Sequence, residues 1–246
     1  MFLRSTLTVS WLSAGVSSFI ASYLVRNMVD NFIYIDVSDQ HSDSMRFIRD
    51  CERLLPKPIE VISSSEYDSV ESAIRSAGIV RMVHTGYAPC TNFLKKRVRK
   101  QWEYNHPDTD FVYVWGFDCS ERSRAERLFD AMPQYHHIFP LIDNNLTKED
   151  CHALLYKLGV KRPLMYDLGY QNNNCVGCVK GGAGYWNRIR VDFPDVFSSR
   201  ACMERDIGSR CLKDYWLDEL PEGVGRFGDD IPEECGIFCE MAFNKF

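Results

Sequence analysis

Apolar and amphipathic stretches alternate along the first 145 residues of the chain. The apolar runs predict strands at STLTVSWL, NFIYIDVSD, IEVISSS, DFVYVWGFD and HIFPLI. The amphipathic runs between them predict helices at Ser18 to Met28, SDSMRFIRDCERLL, DSVESAIRSAG, TNFLKKRVRKQWEYN and SERSRAERLFDAM. Asp68 is the predicted N-cap of the third helix. Thr147 and Asp150 predict the capped start of a further helix, TKEDCHALLYKLGV.

Strands separated by helices of this length predict an α/β fold, a parallel sheet with helices on both faces. The chain then becomes rich in loops and carries several of its cysteines. We therefore predict an α/β domain over residues 1–165 and a loop-rich, cysteine-bearing C-terminal extension over residues 166–246, packed on it. A ligand is expected at the C-terminal ends of the strands.

The stretch from Val9 to Val25 has two interpretations. Arg4 followed by small and apolar residues resembles a signal peptide, but serines and a glycine interrupt the run. The polar residues and second strand that follow favour a strand, a turn and a helix. The chain has no apolar run of about 18 residues, the length that would span a bilayer. We therefore predict a cytoplasmic protein without a membrane segment.

Composition narrows the choice of partners only slightly. The chain has 246 residues, 45% of them hydrophobic and 26% charged, as in ordinary globular proteins. Its net charge of −5 argues against binding nucleic acid over its whole surface, although local basic patches leave that partner open. Composition says nothing against a homo-oligomer.

The turn from Ser13 to Ser18, SAGVSS, is a candidate anion site between a strand and a helix. Helix N-terminal amides attract anions, and the hydroxyls of Ser13, Ser17 and Ser18 can donate to phosphate oxygens. The alternative is a purely structural connection. Arg122 and Arg124 in SERSRAER offer forked donors to phosphate or sulfate, or else form a solvated helix start. Further positive charge comes from Lys180 and from the basic helix that contains Lys95, Lys96, Arg97, Arg99 and Lys100.

Four of the ten cysteines form two close pairs, Cys175 with Cys178 and Cys235 with Cys239. In a chain without an export signal, such pairs favour metal or redox chemistry over structural disulfides. Together the four thiolates would suit a structural zinc or a 4Fe–4S cluster. Unligated thiols and redox-active cysteines are the alternatives.

Several motifs, in order, resemble the phosphoadenylyl-sulfate (PAPS) reductase family of the adenine nucleotide α-hydrolase superfamily. Ser13, Gly15 and Ser18 match the PP-loop pattern Ser-Gly-Gly-x-Asp-Ser, whereas Ala14 and Ser17 replace its second residue and its aspartate. PCTNFLKKRV, FPLID and GYQNNNCVGC resemble further family segments. GFDCSERSRAER carries the family's Gly, Glu, Ser and Arg at Gly116, Glu121, Ser123 and Arg124. ECGIF at residues 234–238 matches four of the five positions of Glu-Cys-Gly-(Leu/Ile)-His.

The resemblance implies that residues 1–165 bind an adenine nucleotide: adenylyl sulfate, PAPS or ATP. The predicted nucleotide-binding residues come from these motifs, from the Ser17 hydroxyl and from the positive charge of Arg122 and Lys180. They are Ser13, Gly15, Ser17, Ser18, Asp36, Gly116, Glu121, Arg122, Arg124 and Lys180. The resemblance also implies an oxidoreductase of sulfur metabolism in which Cys235 attacks the sulfur and a thioredoxin-like partner releases sulfite. Cys235 is then either the nucleophile or a metal ligand. The alternatives are an ATP pyrophosphatase that activates a substrate for sulfur transfer, with magnesium, and a nucleotide-binding protein without catalysis.

Overall fold

The computed structural model describes residues 4–82, 87–226 and 231. Its strands are β1 (Ser5–Leu12), β2 (Asn31–Ile35), β3 (Ile59–Ile62), β4 (Thr109–Val114) and β5 (His136–Ile138). Its helices are α1 (Val16–Leu24), α2 (Asp43–Glu52), α3 (Val70–Ala77), α4 (Pro89–Thr91), α5 (Arg97–Tyr104), α6 (Arg122–Ala131), α7 (Pro140–Asp143), α8 (Lys148–Lys157), α9 (Leu164–Asp167), α10 (Ala183–Asp192) and α11 (Pro194–Ile207). A π-helical turn, Asn92–Lys96, joins α4 to α5, and 3-10 turns cover Arg26–Met28, Cys119–Glu121 and Leu217–Glu219.

Across the described residues, the strands form one parallel sheet in the order β3-β2-β1-β4-β5. Val9 of β1 pairs with Asn31 of β2 on one side and with Tyr113 of β4 on the other. The chain thus winds outward from β1 to β3 and then crosses back to add β4 and β5. Such a reversal of strand order opens a crevice at the C-terminal ends of β1 and β4, where ligands bind in open α/β sheets.

Helices cover both faces of the sheet, which confirms the predicted fold class. Neighbouring side chains of a strand point to opposite faces. Trp11 accordingly packs in a cluster with Trp102 of α5 and Leu128 of α6. Leu12 belongs to the opposite cluster, which includes Phe19 of α1 and further residues of α2, α7 and α8.

The cysteine-bearing C-terminal extension packs beside α3. Trp186 of α10 and Met203 of α11 are fully buried in a cluster with Ile74 of α3. Asp39, in the loop after β2, contacts both α3 and α11. Its carboxylate accepts a hydrogen bond from the Val70 amide (2.6 Å) and pairs with Arg200 of α11.

The helix starts follow local side-chain chemistry. The predicted N-cap at Asp68 is wrong, because Ser69 caps α3 by accepting from the Ser72 amide, while Asp68 accepts from the Ser69 hydroxyl. The predicted cap of α8 is confirmed, with Thr147 and Asp150 bonding each other's backbone. Within the described ranges, no helix has the length and apolar character that a membrane crossing requires.

Candidate functional site

A cavity of about 380 Å³ lies where β1 and β4 end. Part of its lining is apolar and comes from the strand ends: Trp11, Leu12, Ile35, Trp115 and Phe117. The remainder is polar or charged and includes Ser13, Ser17, Ser18, Lys95, Arg124 and Lys148. The cavity can therefore hold a ligand with an apolar ring at one part and an anionic group at another.

The loop from Ser13 to Ser18 folds on itself at the start of α1. The Ser13 hydroxyl donates to the Ser18 hydroxyl (3.0 Å), which in turn donates to the Gly15 carbonyl (2.9 Å). Gly15 is the N-cap of α1 and supplies no side-chain cap. The Gly15 amide donates to the Ser13 hydroxyl (3.3 Å) and the Val16 amide to the Tyr166 hydroxyl (3.4 Å). The positive end of the helix dipole still makes the start of α1 suitable for an anion.

Two residues allow this loop to take its shape. Ala14, which replaces a glycine of the PP-loop pattern, has a φ of +60°, in the left-handed region that favours glycine. Gly116, directly beyond β4, lies against the start of α1. A Cβ atom at Gly116 would lie 2.6 Å from Ser18 Cα and 3.1 Å from the Ser17 carbonyl carbon. The crevice between β1 and β4 therefore depends on a residue without a side chain at position 116.

A π-helical turn carries Lys95, which lines the cavity together with Lys148. Lys95 lies within the turn Asn92–Lys96 and is only 7% exposed. Lys100, farther along the same continuous helix, is exposed, and Arg97 pairs with Glu66 at 2.9 Å. Such turns shift the residues that follow around the helix axis and are frequent at functional sites. Of the five basic residues singled out in this helix, Lys95 contributes to the lining of the cavity.

Arg124 is buried at the cavity and held from two sides. Its Nη1 donates to Glu121 Oε1 at 2.6 Å, and its guanidinium carbon lies 4.4 Å from the centre of the Phe117 ring. Glu121 also accepts from the Asp118 amide, as part of a capping box. Burial raises the pKa of Glu121, whereas the charge of Arg124 and its hydrogen bond act to lower it. The pair thus keeps a guanidinium fixed at the cavity wall.

The start of α8 forms another wall of the cavity, which the sequence did not predict as part of the site. Thr147, Lys148 and Glu149 all line the cavity. The Lys148 ammonium donates to Gln171 O and to Asn172 Oδ1, both at 2.6 Å. The capping box predicted this helix start, but nothing in the sequence indicated that it would lie beside the end of β4.

The structure brings together six of the predicted nucleotide-binding residues at the cavity: Ser13, Ser17, Ser18, Gly116, Glu121 and Arg124. Gly15 belongs to the same loop. The cavity lining does not include Asp36, Arg122 or Lys180. Asp36 accepts from the Tyr34 hydroxyl (3.3 Å), Arg122 is exposed and donates to Ile142 O, and Lys180 lies beyond Cys178.

The cysteine pair of the extension is buried. Cys175 and Cys178 flank Gly177, whose φ is +68°. The Tyr185 hydroxyl accepts from the Cys178 amide (2.9 Å) and donates to the Cys175 carbonyl. No three His, Cys, Asp or Glu side chains within the described residues are grouped as metal ligands. The other two proposed ligands, Cys235 and Cys239, lie outside the described residues, so the four-cysteine site with zinc or a 4Fe–4S cluster stays a prediction.

Comparison with protein-family models and with curated proteins gives no match. Among solved structures, the chain is similar to a phosphoadenylyl-sulfate (PAPS) reductase from Candida auris, determined as a phosphate complex. The identity is 12%, the TM-score is 0.48, and the match covers 68% of this chain and 80% of the other.

Proposed function

We propose that the chain binds an adenine nucleotide in the cavity between β1 and β4. The observation that carries this proposal is the combination of the serine-rich loop from Ser13 to Ser18, at the start of a helix, with an apolar lining in one cavity. The phosphate or sulfate would lie against the loop and the start of α1, near Lys95 and Arg124. The adenine ring would lie against Trp11 and Trp115.

We further propose that the bound nucleotide is adenylyl sulfate or PAPS and that Cys235 reduces it. The Cys235 thiolate would attack the sulfur, forming an S–S bond while the bond from sulfur to the bridging oxygen breaks. AMP or 3′-phosphoadenosine 5′-phosphate would leave. A thioredoxin-like dithiol would then reduce the S-sulfocysteine, releasing sulfite and becoming a disulfide.

Chain length supports this role for Cys235. Asn172, which lines the cavity, donates from Nδ2 to the carbonyl of the buried Ile231 at 2.6 Å. Cys235 follows Ile231 by four residues. Four extended residues span at most about 14 Å, so Cys235 lies no farther than that from Ile231.

The test is a comparison of two cysteine variants. Wild-type protein with PAPS or adenylyl sulfate and reduced thioredoxin is expected to release sulfite. Cys235→Ser should release none, whereas Cys202→Ser, which changes an exposed cysteine of α11, should react normally. Without thioredoxin, wild-type protein should gain the mass of one SO₃ group on Cys235. Sulfite release by Cys235→Ser at the wild-type rate would exclude this mechanism.

The same assay separates the alternatives. If the protein releases pyrophosphate from ATP in the presence of magnesium and releases no sulfite from either sulfated nucleotide, it is an ATP pyrophosphatase and not a reductase. Binding of AMP without turnover of any of these compounds would leave a nucleotide-binding protein. Absence of binding would overturn the nucleotide proposal itself.

A further inference from the structure

The loop from Ser13 to Ser18, called the anion loop below, needs contacts from other parts of the chain to hold its conformation. An anion site needs N–H groups directed at the ligand and carbonyl groups directed elsewhere. Ala14 reaches its conformation with a φ of +60°, which residues with a side chain seldom adopt. Such a conformation persists when surrounding contacts hold it in place.

Asn173 provides that contact from far along the chain. Its Nδ2 donates to the Ala14 carbonyl at 2.9 Å and to the Ser44 hydroxyl at 3.0 Å. Asn173 is only 4% exposed. The preceding carbonyl, that of Ser13, accepts from Gln40 Nε2 at 3.4 Å. Side-chain amide donors from outside the loop therefore bind its first two carbonyls, those of Ser13 and Ala14.

Asn173 is itself anchored on both sides. Before it, Lys148 binds the Gln171 carbonyl at 2.6 Å. After it, Cys175 pairs with Gln40 through an isolated β-bridge, and the Val176 amide donates to the Asp39 carbonyl at 2.8 Å. These contacts fix residues 171–176 against the loop after β2, so that the Asn173 amide is held opposite Ala14.

We infer that Asn173 is a positioning residue for the anion loop. It keeps Ala14 in the left-handed conformation and its carbonyl away from the ligand, so that the loop presents donors to the phosphate. This inference rests on the proposed binding of an adenine nucleotide in the cavity. The sequence pattern predicts no role for Asn173 beyond its place in GYQNNNCVGC.

The experiment compares AMP with adenosine, which lacks the phosphate. Calorimetry on the full chain should show that Asn173→Ala weakens AMP binding about tenfold, the effect of losing one well-placed hydrogen bond between the loop and the phosphate. Adenosine binding should weaken by less than about twofold. If Asn173 had only a structural role, Asn173→Ala would weaken the binding of AMP and of adenosine equally. That outcome, or unchanged AMP binding by Asn173→Ala, would overturn the inference.

Asn187 supplies a matched control. Its Nδ2 also donates to two carbonyls, those of Pro221 (3.0 Å) and Val224 (2.8 Å), but it does not line the cavity. Asn187→Ala should lower the melting temperature and leave AMP binding unchanged. If Asn173→Ala does not fold, Asn173→Ser supplies the comparison, since it removes the amide donor without burying a charge.

A second substitution tests the conformational reason. Glycine adopts a positive φ readily, so Ala14→Gly should lessen the need for an external hold. The double variant Ala14→Gly/Asn173→Ala is expected to bind AMP at least about threefold more tightly than Asn173→Ala alone. Failure to recover would contradict the inference. If wild-type protein binds neither AMP nor adenosine, the nucleotide proposal fails and this inference fails with it.

Discussion

Gly116→Ala should damage both the stability of the protein and its binding site. The added Cβ would lie 2.6 Å from Ser18 Cα and 2.8 Å from Ser18 N, whereas ordinary contacts begin at 3.4 Å. These neighbours are backbone atoms, so no side-chain rotation can relieve the clash. The end of β4 and the start of α1 must separate by about 0.8 Å, the difference between the 2.6 Å approach to Ser18 Cα and the 3.4 Å of an ordinary contact.

The cost follows from that displacement. Forcing one carbon into a packed region costs about 1–3 kcal/mol. For a domain of this size, each kcal/mol lowers the melting temperature by about 2–4 °C, so a decrease of about 4–8 °C is expected for 2 kcal/mol. Because the start of α1 forms part of the proposed anion site, AMP affinity should also fall about tenfold or more.

The assay combines thermal unfolding with AMP calorimetry, and Gly208→Ala is its control. Gly208 has a φ of +71° at the end of α11, and an added Cβ there would meet nothing within 4 Å. Gly208→Ala should therefore cost about 1 kcal/mol through backbone strain alone and leave AMP binding unchanged. A Gly116→Ala protein with the wild-type melting temperature and AMP affinity would refute the close approach of β4 to α1.

Three further predictions concern binding and stability, with Lys100→Met as a control for the first. Lys95→Met should weaken AMP binding about tenfold, because Lys95 lines the cavity, whereas Lys100→Met on the exposed side of the helix should change it less than twofold in calorimetry. Arg200→Ala should cost about 3–5 kcal/mol in urea unfolding, because the nearly buried Asp39 carboxylate loses its ionic partner and keeps only neutral donors such as the Val70 amide. Burial lowers the pKa of His137 below its ordinary value of 6.5. The free energy of unfolding is therefore higher above pH 6.5, and this stabilisation is lost as the pH falls through the lower pKa of the folded protein. His137→Gln, which keeps an acceptor for Trp115, should reduce this loss in urea unfolding between about pH 7 and 5.

Local sequence patterns determined the parallel sheet and the position of the anion loop. Apolar strands that alternate with amphipathic helices leave few arrangements other than a sheet covered on both faces. A small-residue turn between the first strand and helix then has to lie at the C-terminal edge of that sheet. The capping residues Thr147 and Asp150 likewise fixed the start of α8, since a cap involves residues only three positions apart.

Only the tertiary structure decided which polar residues reach the cavity. Lys95 and Lys100 belong to one basic run, and the π-helical turn together with packing on the sheet separates the buried lysine from the exposed one. Arg122 and Arg124 differ in the same way, because they lie on different sides of α6. Asn173 contacts Ala14 across 159 positions of the chain. Such contacts depend on how distant segments of the chain pack against each other, and the spacing of residues along the sequence does not predict this packing.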